Sequence, residues 1–258
     1  MIDAPLGYIT PLIEAYRAGL ASDHVHLGYW DGHLKRDWGE AQKAMTQLHL
    51  DALALQDGQT VVDIGCGLGG SMRMASDLIA GGHLIGVNNE PNQLRVCRTQ
   101  SISNDNRLSW FLNDACNVQL ESGKADCILS LEAMFHFSSR EDFFAEASRL
   151  LRIGGRLVCS DIQFDQPQTT REHELLDVVQ TGYAPWPKIV VGPKEVIRMA
   201  SASNFALIIN KNLSDSVKPT WDYIAPKSRK DIISPVSAMA RLHLAGRLRY
   251  ELFVLVKT

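Results

Sequence analysis

Asp63-Ile64-Gly65-Cys66-Gly67-Leu68-Gly69-Gly70 follows directly on the apolar run Thr60-Val61-Val62 and leads into a helical pattern. A strand that feeds a glycine-rich turn and then a helix makes a ligand site. Glycine lets backbone approach the ligand, and the first helical turn leaves its N–H groups unbonded. The spacing also satisfies Gly-x-Gly-x-x-Gly, so a dinucleotide competes for the same stretch. Asp63 separates the two readings. A carboxylate just before the first glycine repels a pyrophosphate and suits a cationic amino group. The stretch therefore predicts an organic ligand with positive charge and no phosphates, and counts against a nicotinamide dinucleotide.

Outward from this turn the chain alternates strands and helices. Residues 38–55 place Ala41, Met45, Leu48, Ala52 and Leu55 at helical spacing, and Asp57-Gly58 ends that helix. After a helix over 71–80, Gly81-Gly82 breaks the chain and His83-Leu84-Ile85-Gly86-Val87 reads as the second strand. Pro91 opens the next helix, where its missing N–H costs nothing. Leu108–Leu112 and Asp126–Leu131 are the third and fourth strands. Ser138-Ser139-Arg140-Glu141 resembles a capping box, and Gly154-Gly155 closes the helix it opens. Arg156–Ser160, Phe205–Ile209 and Tyr250–Val256 complete a set of strands. This alternation predicts an α/β fold, a doubly wound and mostly parallel seven-stranded sheet covered on both faces, with a small cap. The expected divisions are a cap segment at 1–37, a ligand-binding core at 38–162, a cap insertion at 163–203, and C-terminal strands at 204–258.

The bulk properties exclude several classes. The 258 residues are 45% hydrophobic and 21% charged, an ordinary globular composition. Lys and Arg number 26 against 29 Asp and Glu, for a net charge of −3, and no basic run stands out, so nucleic acid is not an expected partner. Met1-Ile2-Asp3-Ala4-Pro5 lacks the basic start and apolar core of a signal peptide, and no apolar run is long enough for a bilayer. The five cysteines are odd in number and form no Cys-x-x-Cys pair. That fits a reducing cytoplasm rather than a disulfide framework or a zinc site. His24, His26 and His33 lie close together, but no His-Glu-x-x-His accompanies them, and no metal is expected.

Open α/β sheets bind ligands beyond the carboxyl ends of their strands. The candidate residues all lie there. Asp63, Gly65 and Gly67 follow strand one, and Asn88 follows strand two with Glu90 and Gln93 close behind. Asp114 and Ala115 follow strand three, Leu131, Glu132, Phe135 and His136 follow strand four, and Asp161 follows strand five. Tyr29, Trp30, Tyr183, Trp186, Trp221 and Tyr223 fall in the expected cap and loops and suggest an apolar, ring-containing acceptor.

Three segments carry a family resemblance. Val61–Gly70 resembles motif I of the class I S-adenosylmethionine-dependent methyltransferases. His26-Leu27-Gly28-Tyr29-Trp30 resembles the N-terminal cap of one branch, and Leu131-Glu132-Ala133-Met134-Phe135-His136 the end of its fourth strand. That branch holds sterol C-methyltransferases, tocopherol-type methyltransferases and sugar O-methyltransferases of antibiotic pathways. The likeness covers roughly residues 16–258 and is strongest from 60 to 161. It implies a Rossmann-like sheet with a reversed last strand and S-adenosyl-L-methionine as cofactor, a ligand with an ammonium, a sulfonium and no phosphates.

The resemblance also implies roles. Asn88 stands where the family usually has an acid on the ribose hydroxyls, and an amide bonds them more weakly than a carboxylate. The branch uses a glutamine slightly further on, here Gln93. Asp114 would accept from the adenine amino group, Ala115 would donate its backbone N–H to the ring, and Leu131 and Glu132 would border the methionine part. His136 and Asp161 correspond to a base and its orienting carboxylate. The sugar O-methyltransferases have a second His before that base, whereas this chain has Phe135. A His so held takes a proton from an attacking hydroxyl or amine. It serves equally as a pocket wall where alignment of the reactants suffices.

The expected function is methyl transfer to a small organic acceptor in specialised metabolism. The methylated atom, oxygen, nitrogen or carbon, stays open, and so does assembly into a homo-oligomer. Two alternatives remain: a pericyclase or cyclase that binds the cofactor without using its methyl, and an NAD-dependent oxidoreductase.

Overall fold

A computed structural model describes residues 7, 9–32, 37–102, 104–225 and 233–258. His33 lies outside them. In chain order the elements are α1 (Ile9–Arg17), α2 (Trp38–Leu53), β1 (Thr60–Ile64), α3 (Gly70–Ser76), β2 (His83–Asn88), α4 (Pro91–Cys97), β3 (Arg107–Leu112) and β4 (Ala125–Ser130). After a 3-10 turn at Met134–His136 come α5 (Arg140–Leu150), β5 (Leu151–Phe164), α6 (Thr170–Gly182), α7 (Pro193–Ala202) and β6 (Phe205–Asn212). The chain ends with α8 (Ser214–Val217), α9 (Trp221–Ile224), α10 (Pro235–Leu244) and β7 (Leu248–Lys257).

The seven strands form one sheet in the order β3-β2-β1-β4-β5-β7-β6. The pairs among β1 to β5 are parallel, and β7 runs antiparallel to both its neighbours. Alternate residues of the central strands feed two cores. Val61, Leu84, Leu129 and Val158 pack with Met45, Leu50 and Leu53 of α2. Val62, Ile64, Ile85, Ile128 and Leu157 pack with Phe143, Phe144 and Leu150 of α5. Strands buried on both faces read as continuous apolar runs, which is why they stood out in the sequence.

Element ends shift where caps and pairing decide them. A capping box between Asp37 and Glu40 starts α2, and Ala54 ends it in the left-handed region at φ 52°, earlier than Asp57-Gly58. Ser139, rather than Ser138, caps α5 by accepting from the Asp142 N–H at 3.0 Å. That helix stops at Leu150, and Gly154-Gly155 lies inside β5 because Leu151 already pairs with Ala125 of β4. β5 runs on to Phe164, held by β7 through the pair Phe164–Leu248.

The cap has two parts. The strap at 23–30 lies along α2: Gln42 Nε2 donates to the carbonyls of His24 and His26, and the Tyr29 N–H donates to the Ala41 carbonyl. The segment at 163–203 divides. α6 packs on α10, while α7 packs on α5 and β6 with Val196, Met199 and Ala200 buried in the sheet sandwich. Among the described residues no helix is long and apolar enough to cross a membrane.

Gly86 marks a tight spot in the sheet. A Cβ there would stand 2.2 Å from ring carbons of Trp110, its partner on β3. Gly86→Ala is therefore predicted to lower unfolding free energy by about 1–3 kcal/mol, the range for an overpacked core, read from the urea midpoint.

Candidate functional site

The strand order reverses between β1 and β4, and the carboxyl ends of β1, β2 and β3 open there on a cleft. The cleft is lined by Gly65, Asn88, Asp114, Ala115, His136 and Phe137 among others. Residues from four separate strand ends thus meet in one depression.

Asp63 sits beneath the glycine turn, 1% exposed. Its Oδ2 is buried and has no hydrogen-bond partner. Burial pushes its carboxyl up to about 7. Gly65 has φ +84°, and a Cβ on it would stand 2.4 Å from the Ala133 Cβ. Only glycine lets the turn fold so closely over the segment after β4.

Asn88 and Gln93 come together, with Asn88 Nδ2 donating to Gln93 Oε1 at 2.9 Å. Asn88 Oδ1 accepts from the Glu90 N–H at 3.1 Å. Glu90 is committed as the cap of α4, accepting from the Gln93 N–H at 2.6 Å. Its carboxylate is thereby spent on the helix end. Asp114 Oδ1 accepts from the Cys116 N–H at 2.7 Å and closes a turn that holds Ala115 at the cleft wall.

Beyond β4 the chain bends sharply. Leu131 is buried, and Glu132 takes a left-handed backbone at φ 52°, which a non-glycine residue adopts only under strain. Three contacts hold it. Its Oε2 accepts from the Leu27 N–H of the strap at 2.9 Å, its own N–H donates to Ser160 Oγ at 3.0 Å, and the Tyr250 phenol bonds its carboxyl. Ser160 Oγ and Tyr250 Oη lie 3.2 Å apart. Burial outweighs these bonds and pushes the Glu132 carboxyl up to about 8. Tyr250 and Ser160 escaped sequence reasoning because β7 brings Tyr250 from the far end of the chain to pair beside β5, which carries Ser160.

The expected His136–Asp161 pair is corrected by the geometry. Both Asp161 oxygens are taken by Arg140, from Nε at 2.9 Å and Nη2 at 3.1 Å, and Gln163 Nε2 donates to the same carboxylate. Arg140 is 5% exposed and Asp161 fully buried. A planar guanidinium matches a carboxylate with two parallel bonds, and it outcompetes an imidazole for the site. His136 Nδ1 instead donates to the Pro185 carbonyl at 2.9 Å. That bond fixes the tautomer with Nε2 as the basic nitrogen. Burial pulls the imidazole down to about 4, so it is neutral near pH 7.

The aromatic candidates fall into two groups. Phe135 and Trp186 stack at 4.2 Å between centroids, with His136 at 4.2 Å from Phe135 and Phe164 at 5.6 Å from Trp186. Tyr183, at the end of α6, feels the Glu132 charge and is half-buried. Tyr29 and Trp30 lie on the strap. Trp30 stacks on Tyr223 at 4.9 Å and its Nε1 donates to Thr220, while Lys211 lies over the Tyr29 ring. These two fasten the strap to the 211–223 segment. Trp221 Nε1 donates to His243 inside the core.

His24 Nδ1 and His26 Nε2 both bond Thr46 Oγ1, at 2.9 and 3.0 Å, and burial lowers their imidazoles to about 4 and about 3. They hold the strap on α2. Among the described residues no three His, Cys, Asp or Glu side chains converge as metal ligands.

Residues 62–159 match the model of a methyltransferase domain. The methyltransferase GfsG of Streptomyces halstedii is 34% identical over 152 residues, 58% of this chain and 54% of that protein. The erythromycin 3''-O-methyltransferase of Saccharopolyspora erythraea is 27% identical over 151 residues, 58% of this chain and 49% of that enzyme. The chain thus spans about half the length of these curated relatives. Among solved structures, mycolic acid cyclopropane synthase CmaA1 superposes with a TM-score of 0.81 at 22% identity, over 95% of this chain and 94% of that one. At that identity the likeness speaks for the fold.

Arg140 also donates from Nη1 to the Lys188 carbonyl at 2.9 Å. Arg140→Ala would strand the buried Asp161 charge. It is predicted to cost about 3–5 kcal/mol of stability, measured by urea unfolding of both proteins at neutral pH.

Proposed function

We propose, on the premise that this chain belongs to the class I S-adenosylmethionine-dependent methyltransferases, that it methylates a hydroxyl or amine of a small organic acceptor in natural-product tailoring. The observation that carries the reading is the buried, unpartnered Oδ2 of Asp63 beneath a left-handed glycine turn. A ligand ammonium supplies the partner that this oxygen lacks. A pyrophosphate would meet a buried acid instead, which counts against a dinucleotide. The antibiotic-modifying relative supports the tailoring role, and the Phe135–Trp186–Phe164 surface supports a ring-bearing acceptor.

The residues present fit S-adenosyl-L-methionine. Asp63 would hold its ammonium, Asn88 and Gln93 its ribose hydroxyls, and Asp114 with the Ala115 N–H its adenine. Gly65 and Gly67 keep the turn open to it, and Leu131 and Glu132 border the methionine part. The cofactor supplies an electrophilic methyl group on a sulfonium. The chain aligns the acceptor with that methyl, a contribution that needs no covalent help from the protein. Phe135, Trp186 and Tyr183 exclude water from the acceptor side. His136 accepts the acceptor's proton at Nε2, and the Pro185 carbonyl takes over the orienting task assigned to Asp161 in the sequence reading.

Two predictions follow from these roles. Calorimetry should show binding of S-adenosylmethionine and none of NAD. Asp63→Ala should weaken that binding by about 1.5–3 kcal/mol, the range for a hydrogen bond to a charged group. Preferential NAD binding would sink the reading, and release of S-adenosylhomocysteine during turnover separates a methyltransferase from a cyclase of the same fold.

His136→Ala should lower kcat by about a hundredfold with cofactor affinity little changed. Because the imidazole is held down to about 4, it is already basic at neutral pH. At saturating cofactor kcat should stay level from about pH 6 to 8 and fall only as acidity approaches the lowered pKa. An inflection near 6.5 that disappears in the His136→Ala protein would contradict this assignment.

A further inference from the structure

The amino ends of the central strands carry a second hollow. A doubly wound sheet is covered by the helices of its crossovers. The crossovers after β4 and β5 put α5 and α7 on one face, in the core that holds Val62, Ile85 and Ile128. The crossover from β3 to β4, residues 113–124, forms no helix. On that face the amino-terminal halves of β1 and β2 therefore lack a cover, and a hollow of about 300 Å³ opens there. Its floor is Thr60, Val62, His83 and Ile85, and Leu120 and Leu150 are apolar walls. The volume is at the lower end of the range for small-molecule sites. The hollow is distinct from the cleft described above, to which the same two strands contribute Ile64, Val87 and Asn88 at their other ends.

The charges around the mouth select the occupant. Glu121 and Lys124 line it and lie 3.9 Å apart, so each offsets the other. Asp126, beside Ala125 of the wall, is paired with Arg152. Asp105 accepts from the Gly81 N–H at 3.0 Å. Arg107 opens β3 and pairs in register with His83, so its side chain leaves the sheet on the face of the hollow. It is exposed, and among the described residues it has no ion-pair partner. His83 Nε2 lies 2.9 Å from Ser109 Oγ, and burial together with the Arg107 charge holds the imidazole below its ordinary value. The floor is thus mainly apolar, and one uncompensated cation stands at its edge.

We propose that this hollow is a second ligand site, for a small apolar carboxylate whose body lies on Val62, Ile85, Leu120 and Leu150 and whose carboxylate meets Arg107. Apolar surface is removed from water on both partners, which is the main attraction. A guanidinium matches a carboxylate with two parallel charge-assisted bonds, so the head group is chosen by geometry as well as by charge. The site stands apart from the proposed methyl transfer and does not depend on it.

The test compares octanoate with octanol, which share an apolar chain and differ in charge. Calorimetry at about pH 7, where the carboxylate is ionised, should show saturable binding of octanoate, one per chain. Octanol should bind about tenfold or more weakly, since it lacks the charged bond. Arg107→Glu changes an exposed position and should weaken octanoate by about tenfold or more while leaving octanol nearly unchanged. His83→Trp should fill the hollow and weaken both probes. No saturable octanoate binding would overturn the proposal, as would equal affinity for the two probes or octanoate binding that Arg107→Glu leaves intact. Octanoate that binds a folded His83→Trp protein as before, or that S-adenosylhomocysteine displaces, lies in another site and overturns it too.

Discussion

Reversal of strand order between β1 and β4 is the constraint on which the molecule depends. Helices leaving the two strands go to opposite faces, so nothing covers the sheet edge between them. The gap must be bounded by whatever follows each strand. After β1 that is a turn folded too tightly for any Cβ at Gly65, and after β4 it is a non-glycine residue forced to φ 52°. Both distortions lie at the one place where the layers part. Backbone strain of this kind persists only when its surroundings over-determine it. Here the strap, β5 and β7 all grip Glu132 at once.

Desolvation dominates the electrostatics near this gap. Burial raises Asp63 and Glu132, lowers His136, and lowers His24, His26 and His49. In each of these groups burial favours the uncharged form. Burial raises Asp161 too, but there a guanidinium meets it in two-pronged geometry deep in the protein and opposes the shift. A buried pair of that quality is costly to break, because either partner alone is an uncompensated charge. Among the ion pairs of the described residues, Arg140–Asp161 is buried on both sides.

Much of this was legible in the sequence, and the limits have physical causes. The parallel strands announced themselves because burial on both faces makes them apolar throughout. The glycine turn and Asp63 were readable because turn chemistry is local. Asn88 and Gln93 are five residues apart on one turn, and the structure joins them by a hydrogen bond. The His136–Asp161 pairing was a different kind of statement, since it required knowing which side chain wins a contact between strands. Arg140 entered the sequence reading only as part of the Ser138–Glu141 capping stretch. Its burial comes from contacts with Asp161 on β5 and the Lys188 carbonyl, which are distant in sequence. Tyr250 and Phe164 depend on the β5–β7 register, a long-range pairing that local pattern does not carry.

One guanidinium ties together α5, β5 and the loop after α6, because Arg140 holds both Asp161 and the Lys188 carbonyl. The same loop carries the Pro185 carbonyl that orients His136, and it is pinned again where Val190 bridges to Phe164. The loop is therefore anchored on its far side, from 185 to 190, while on its near side α6 packs on α10 and buries Leu175, Leu176 and Val179 in the core. An engineer seeking a new acceptor has a natural cassette boundary here. Exchanging residues 166–183 replaces the α6 face that packs on α10 but keeps Pro185, whose carbonyl orients His136. Moving the junction past Pro185 exchanges the residue whose carbonyl orients His136 as well.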